Sequence, residues 1–144
     1  MALLNRTSSD TRRAMRASAR QRENLVHDVK AGDHQLTVDE PVASGGDDQG
    51  PSPQELLAAA LASCTAVTME MYAKRKGWNA SGLRVDVRYT PAERGCPTRF
   101  DLVFKMPPQL DEDQVEKLRV IAAKCPVHRT LEGEVAFDER VEQG

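Results

Sequence analysis

The chain predicts an α+β domain in which antiparallel strands pack against helices. Three observations carry this. Residues 53–76 form one long, weakly polar helical run opened by a capping signature. Two alternating stretches, 83–89 and 100–106, have the period of half-exposed antiparallel strands. A second amphipathic run follows Asp111. The predicted order is ββ-α-ββ-αα-β, with no internal repeat.

The first pair of strands falls between Glu23 and Glu40, where Leu25, Val29, Leu36 and Val38 are the apolar members and Ala31-Gly32-Asp33 reads as the turn. Residues 43–52, ASGGDDQGPS, are a loop by composition. Ser52-Pro53-Gln54-Glu55 is a capping box: Ser52 is suited to accept from the N3 amide, Glu55 to reach back, and Pro53 to fill N1 at no hydrogen-bond cost. The helix it opens runs to about Lys76 and stops at Gly77. Its middle is apolar or small on every side, so it needs enclosure all round, and a chain this short implies a second subunit covering part of it.

In the next strand, Leu83, Val85, Val87 and Tyr89 alternate with Arg84, Asp86 and Arg88. Its partner places Phe100, Leu102, Phe104 and Met106 on one face, and Pro107-Pro108 ends it. Asp111 caps a helix whose Val115, Leu118, Ile121 and Ala122 form one stripe. Pro126 opens a short helix, and a strand from Glu134 to about Val141 is expected to close the chain.

With 144 residues, a single domain is expected. The net charge of −2 with 29% charged residues gives no electrostatic case for nucleic acid. Three cysteines, an odd count, fit a reducing, cytoplasmic setting better than a secreted disulfide framework. The apolar run from Leu56 to Met69 falls short of the roughly 18 to 20 residues that span a bilayer, so no membrane partner is expected. Residues 1–22 hold Arg6, Arg12, Arg13, Arg16, Arg20 and Arg22 against Asp10 alone. They form an Arg-rich arm ahead of a domain at 23–144, fitting a flexible or docking arm better than a targeting peptide or a nucleic-acid arm.

Two thiols stand out as chemistry. Cys64 sits in the apolar helix, where a buried thiol by itself is commonly a small hydrophobe. Cys125 directly precedes Pro126 and can occupy a helix N-cap, facing amide N–H groups that favour thiolate; Lys124, His128 and Arg129 are close in sequence. A nucleophile with a resolving partner is one reading, and two inert core thiols the other. Cys96, beside Pro97 in a loop, reads as a bystander. Cys125 and His128, with Cys96, His27 and His34, do not make a four-ligand zinc set. There is no G-x-S-x-G, P-loop or G-x-G-x-x-G.

Together, GGDDQGPSPQELLAAALASCTAVTMEMYAKRKGW and IAAKCPVHRTLEGEV resemble the OsmC/Ohr family of thiol peroxidases, in its OsmC-like branch, over about residues 23–142. The resemblance implies an intertwined homodimer with shared active sites, the sheet wrapped on two main helices. It implies Cys64 as the peroxidatic and Cys125 as the resolving cysteine. A Cys64 sulfenic acid formed by an organic hydroperoxide would condense with Cys125, and an external dithiol, in the Ohr branch a lipoylated protein, would reduce the disulfide. No metal, haem or flavin is implied. Two departures stand against the family pattern. Gln54 occupies the place of a glutamate ten residues before the reactive cysteine, and Glu55 falls on roughly the opposite side of the helix from Cys64 at about 100° per residue. The partner arginine has no clear equivalent, Arg20 and Arg22 lying only in the right region. These departures leave a redox-sensing or small-ligand-binding dimer as the alternative to a peroxidase.

Overall fold

The computed structural model describes residues 11–144, so Arg6 and Asp10 of the expected arm lie outside the described residues. The chain divides into two compact units, residues 1–53 and 54–144. Strands β1 (Ala17–Glu23), β2 (Val26–Ala31) and β3 (His34–Val38) make an antiparallel meander in the first unit. The second contains α1 (Pro53–Lys76), the β4 (Arg84–Thr90)–β5 (Arg99–Lys105) hairpin, α2 (Glu112–Ala122) and α3 (Pro126–Glu132).

In the first unit the expected hairpin gains a strand. β2 pairs with β3 as predicted, turning through Gly32 at φ +60°. β1 adds to the other edge of β2 and takes up residues 17–22 of the expected arm. Every β1 side chain is exposed, so it carries no apolar alternation to read. Cross-strand polar contacts stand in for it: the Arg22 guanidinium ion-pairs with Asp28 and reaches Thr37 Oγ1 at 3.5 Å. The loop after β3 is organised by buried Asp39. Its carboxylate accepts from the amides of Glu40 (2.7 Å), Asp47 (3.0 Å) and Gln49 (3.1 Å). Burial alone would raise its pKa, but those three amides hold it below the usual carboxylate range. Only glycine fits at 46, where a Cβ would fall 1.9 Å from the Glu40 carbonyl oxygen.

In the second unit, α1 begins at Pro53 and ends as predicted. Gly77, at φ +73°, donates to Lys74 O (3.1 Å) while Trp78 donates to Ala73 O (2.9 Å), a Schellman termination. The Trp78 ring meets Tyr72 edge to face at 5.7 Å, closing the apolar side of the cap. Asp111 caps α2 with a full capping box: it accepts from Gln114 N (2.8 Å), and the Gln114 side chain accepts from Asp111 N (3.0 Å). The β4–β5 register sets Val85 opposite Phe104, Val87 opposite Leu102 and Tyr89 opposite Phe100. A core of Met69, Ala73, Leu110, Leu118 and Ala122 forms, with Val85, Phe104 and Trp78 packed against it.

Two expectations need correcting. Beyond Gly133 the chain has no regular element. The closing strand at 134–141 is not formed, and Phe137 (81%) and Val141 (94%) are exposed. A strand exists only against an edge that takes its hydrogen bonds, and among the described residues no strand pairs with this segment. The second correction concerns α1. Its 24 residues, with a mean hydropathy of 1.4 over the best window, are long and apolar enough to cross a bilayer by length and composition, which the count over 56–69 had missed. The same test is passed by the core helices of globular domains, and α1 buries Leu61, Thr65, Met69 and Ala73 as one i, i+4 stripe. Its other side stays uncovered within the chain, with Val67 49% and Met71 67% exposed. The predicted all-round enclosure is therefore not met by one chain.

Candidate active site

Cys64 and Cys125, distant in sequence, meet. Cys64 lies on α1 one turn beyond Leu61 and is half-buried; Cys125 is fully buried at the N-cap of α3, with Pro126 at N1. Pro126 has no N–H, so the amides of Val127 and His128 are the first able to face that N-cap. The two thiols are near enough to influence each other's ionisation, and the Val127 amide acts on both, the His128 amide and Thr65 hydroxyl on Cys125, and the Thr68 hydroxyl on Cys64. Each hydroxyl has a single hydrogen, which Thr65 gives to Leu61 O and Thr68 to Cys64 O, each at 2.7 Å, and supporting a thiolate requires that hydrogen to turn toward the sulfur.

These contacts split the pair electrically. Burial, then the neighbouring Cys125, pushes the Cys64 thiol up against the pull of Val127 N–H and Thr68. Burial also works against charge on Cys125, but the Cys64 thiol, the His128 amide, the Thr65 hydroxyl and the Val127 amide outweigh it and bring Cys125 below the ordinary thiol value. Of the two thiols, Cys125 is the one whose surroundings favour the thiolate, in line with the sequence reading of Cys125 at a helix N-cap.

A cleft of about 530 Å³ opens between α1, the β4–β5 hairpin and α3; the cysteines do not line it, but Leu61 and His128, one turn from Cys64 and three residues from Cys125, do. One wall is Leu57 and Leu61, which share an α1 face with Cys64. A second is the β-face of Tyr89, Phe100 and Leu102, where Tyr89 and Phe100 stack at 4.8 Å. The third is α3, through His128, Leu131 and Glu132. His128 Nδ1 lies 3.1 Å from Ala123 O, and Nε2 lies 3.2 Å from Glu132 Oε1. The sequence reading noted His128 only as a neighbour of Cys125 and missed Glu132 and Thr65; the i, i+4 spacing of His128 and Glu132 was the available signal.

The other candidates lie elsewhere. Cys96 is exposed at the end of the β4–β5 hairpin, where its amide donates to Glu93 O at 2.8 Å. His27 and His34 belong to the first unit, as do Arg20 and Arg22, and Arg22 is engaged with Asp28. Gln54 is exposed in the first turn of α1. Among the described residues no three His, Cys, Asp or Glu side chains converge as a metal-ligand set.

An α+β domain that brings two reduced cysteines together, one on a long helix and one at a helix N-cap, defines a protein built around a thiol pair. The sequence model of the OsmC-like protein family matches residues 45–140, and the chain belongs to that family. No curated protein sequence matches it. Among solved structures, an OsmC-like protein from Mycoplasma pneumoniae superposes with a TM-score of 0.70 at 20% identity, covering 84% of this chain and 89% of that one. The organic hydroperoxide resistance protein OhrB of Bacillus subtilis gives 0.59 at 21% identity, covering 83% and 91%. At these identities the likeness is one of fold.

Proposed function

We propose that the chain is a cysteine-based peroxidase for organic hydroperoxides, with Cys64 as nucleophile and Cys125 as resolving thiol. The observation that carries this reading is that the fold brings Cys64 and Cys125, distant in sequence, near enough for each to influence the other's ionisation. Cys125 has no exposed surface, whereas Cys64 has some, so an oxidant meets Cys64 first. Passing the thiol hydrogen from Cys64 to Cys125 places the thiolate on the sulfur that meets the oxidant. That thiolate attacks the distal peroxide oxygen, the O–O bond breaks, and Cys64 becomes a sulfenic acid while the alkoxide leaves. Cys125 then displaces the hydroxyl as water and forms the disulfide, and an external dithiol returns both thiols. The nearness of the two thiols shortens the second step to a small side-chain movement.

The working unit in this proposal is a homodimer in a reducing, cytoplasmic compartment. The uncovered α1 face, with Ala59, Ala60, Val67 and Met71, supports a second subunit, since an apolar surface of this kind is stabilised by burial. A second reading, a redox sensor without efficient turnover, is favoured by one observation: among the described residues no lysine or arginine lines the cleft, and the groups that favour a Cys125 thiolate are the Cys64 thiol, two amides and a hydroxyl. Steady-state consumption of cumene hydroperoxide with excess dithiol separates the two. The peroxidase turns over many times and Cys64→Ser loses at least about 10³-fold. One equivalent of oxidation followed by arrest supports the sensor, and turnover surviving in Cys64→Ser contradicts the mechanism.

A further inference from the structure

We infer that His128, its proton held against Glu132, is the acid that protonates the alkoxide leaving the hydroperoxide. The inference rests on the peroxidase reading and adds a residue to it. An alkoxide is a strong base, and expelling one unprotonated into a cleft walled by Leu57, Leu61, Phe100 and Leu131 is costly. A proton source must therefore face that cleft. Lysine, arginine and cysteine are absent from its lining, and His128 is the cationic-capable side chain there.

The contacts of the ring fix where its hydrogens sit. Nδ1 faces the Ala123 carbonyl, which only accepts, so Nδ1 carries a hydrogen. Nε2 lies 3.2 Å from a Glu132 carboxylate oxygen, an ion pair when the ring is protonated. In that form the dyad carries one transferable proton at the cleft wall. Its backbone is also part of the thiol site, since the His128 amide acts on Cys125. In the step, a Cys64 electron pair forms the S–O bond to the distal oxygen. The O–O pair departs with the proximal oxygen and takes the dyad proton. The products are the sulfenic acid, a neutral alcohol, and a neutral imidazole beside the Glu132 carboxylate, which regains its proton from water.

Leaving-group chemistry tests this without relying on loss of activity alone. Single-turnover thiol oxidation of the full chain is followed with tert-butyl hydroperoxide, whose alkoxide needs a proton, and with peracetic acid, whose acetate does not. His128→Asn keeps a donor toward Ala123 O and removes Nε2. It is expected to slow the alkyl hydroperoxide reaction about 10²-fold while leaving the peracid reaction within about threefold of wild type. Glu132→Gln should show the same selectivity with a smaller loss. His34→Asn, a histidine of the first unit that does not line the cleft, should match wild type with both oxidants. Equal slowing with both oxidants in His128→Asn, no slowing with either, or the same selective loss in His34→Asn, overturns the assignment. Cys64→Ser separates the two levels: if its remaining thiols are oxidised by either reagent at the wild-type rate, the peroxidase reading itself fails, whatever His128 does.

Discussion

The two halves of α1 do different work. From Met69 onward the helix is part of a close-packed core with Leu118 and Ala122, ended by a glycine cap and a Tyr72–Trp78 ring pair. Between Leu57 and Thr68 the same helix sets Leu57 and Leu61 on a cleft wall, carries Cys64 and turns small, uncovered residues away from its buried stripe. Apolar burial concentrates in the first region; the second keeps open volume and polar contacts around a pair of thiols. The lesson is a separation of stability from chemistry along a single element, so substitutions at the two ends should fail in different assays.

The largest stability effect should come from the core end. Leu118→Ala removes a fully buried side chain from the cluster and should cost about 2–5 kcal/mol in urea unfolding, with hydroperoxide turnover per folded molecule unchanged. Leu57→Ala, on the half-buried cleft wall, should cost under about 1 kcal/mol and instead raise KM for bulky hydroperoxides. Equal loss of stability in both would break the comparison. Next in size is Gly77→Ala, which forces a side chain into φ +73° and should cost about 1 kcal/mol, again without altering thiol reactivity.

The smallest stability effect should accompany a clear chemical one. Thr65→Val keeps the shape of a buried residue and deletes the hydroxyl beside Cys125. That hydroxyl lowers the Cys125 pKa, so its removal should move the first ionisation of the thiol pair to higher pH. The shift would be read from thiolate absorbance against pH, with the urea midpoint nearly unchanged. An unmoved titration would mean that Thr65 serves packing alone.

Much of this organisation was legible in the sequence because it is local. Ser52-Pro53 and Gly77 bracket α1, Asp111 starts α2, and the alternation of 83–89 and 100–106 marks β4 and β5 with the correct faces. β1 was not legible, since ASARQRE presents no apolar period and owes its pairing to the edge of β2. Residues 134–141 misled in the opposite sense: the alternation of Val135, Phe137 and Val141 describes strand potential, and among the described residues no strand pairs with them to realise it. At the site, each cysteine could be singled out by its neighbours. The meeting of positions 64 and 125, the threonines behind them and the facing of His128 into the cleft are products of tertiary packing.

Whether Cys64 and Cys125 act as one redox pair is decided by treating the reduced protein with one equivalent of cumene hydroperoxide and mapping disulfides in non-reduced peptides by mass spectrometry. The predicted result is a single Cys64–Cys125 linkage, reversed by a dithiol, with Cys96 still open to alkylation. Peroxide consumed while Cys64 and Cys125 both remain alkylatable, or a linkage that recruits Cys96 in place of either, would contradict the pairing.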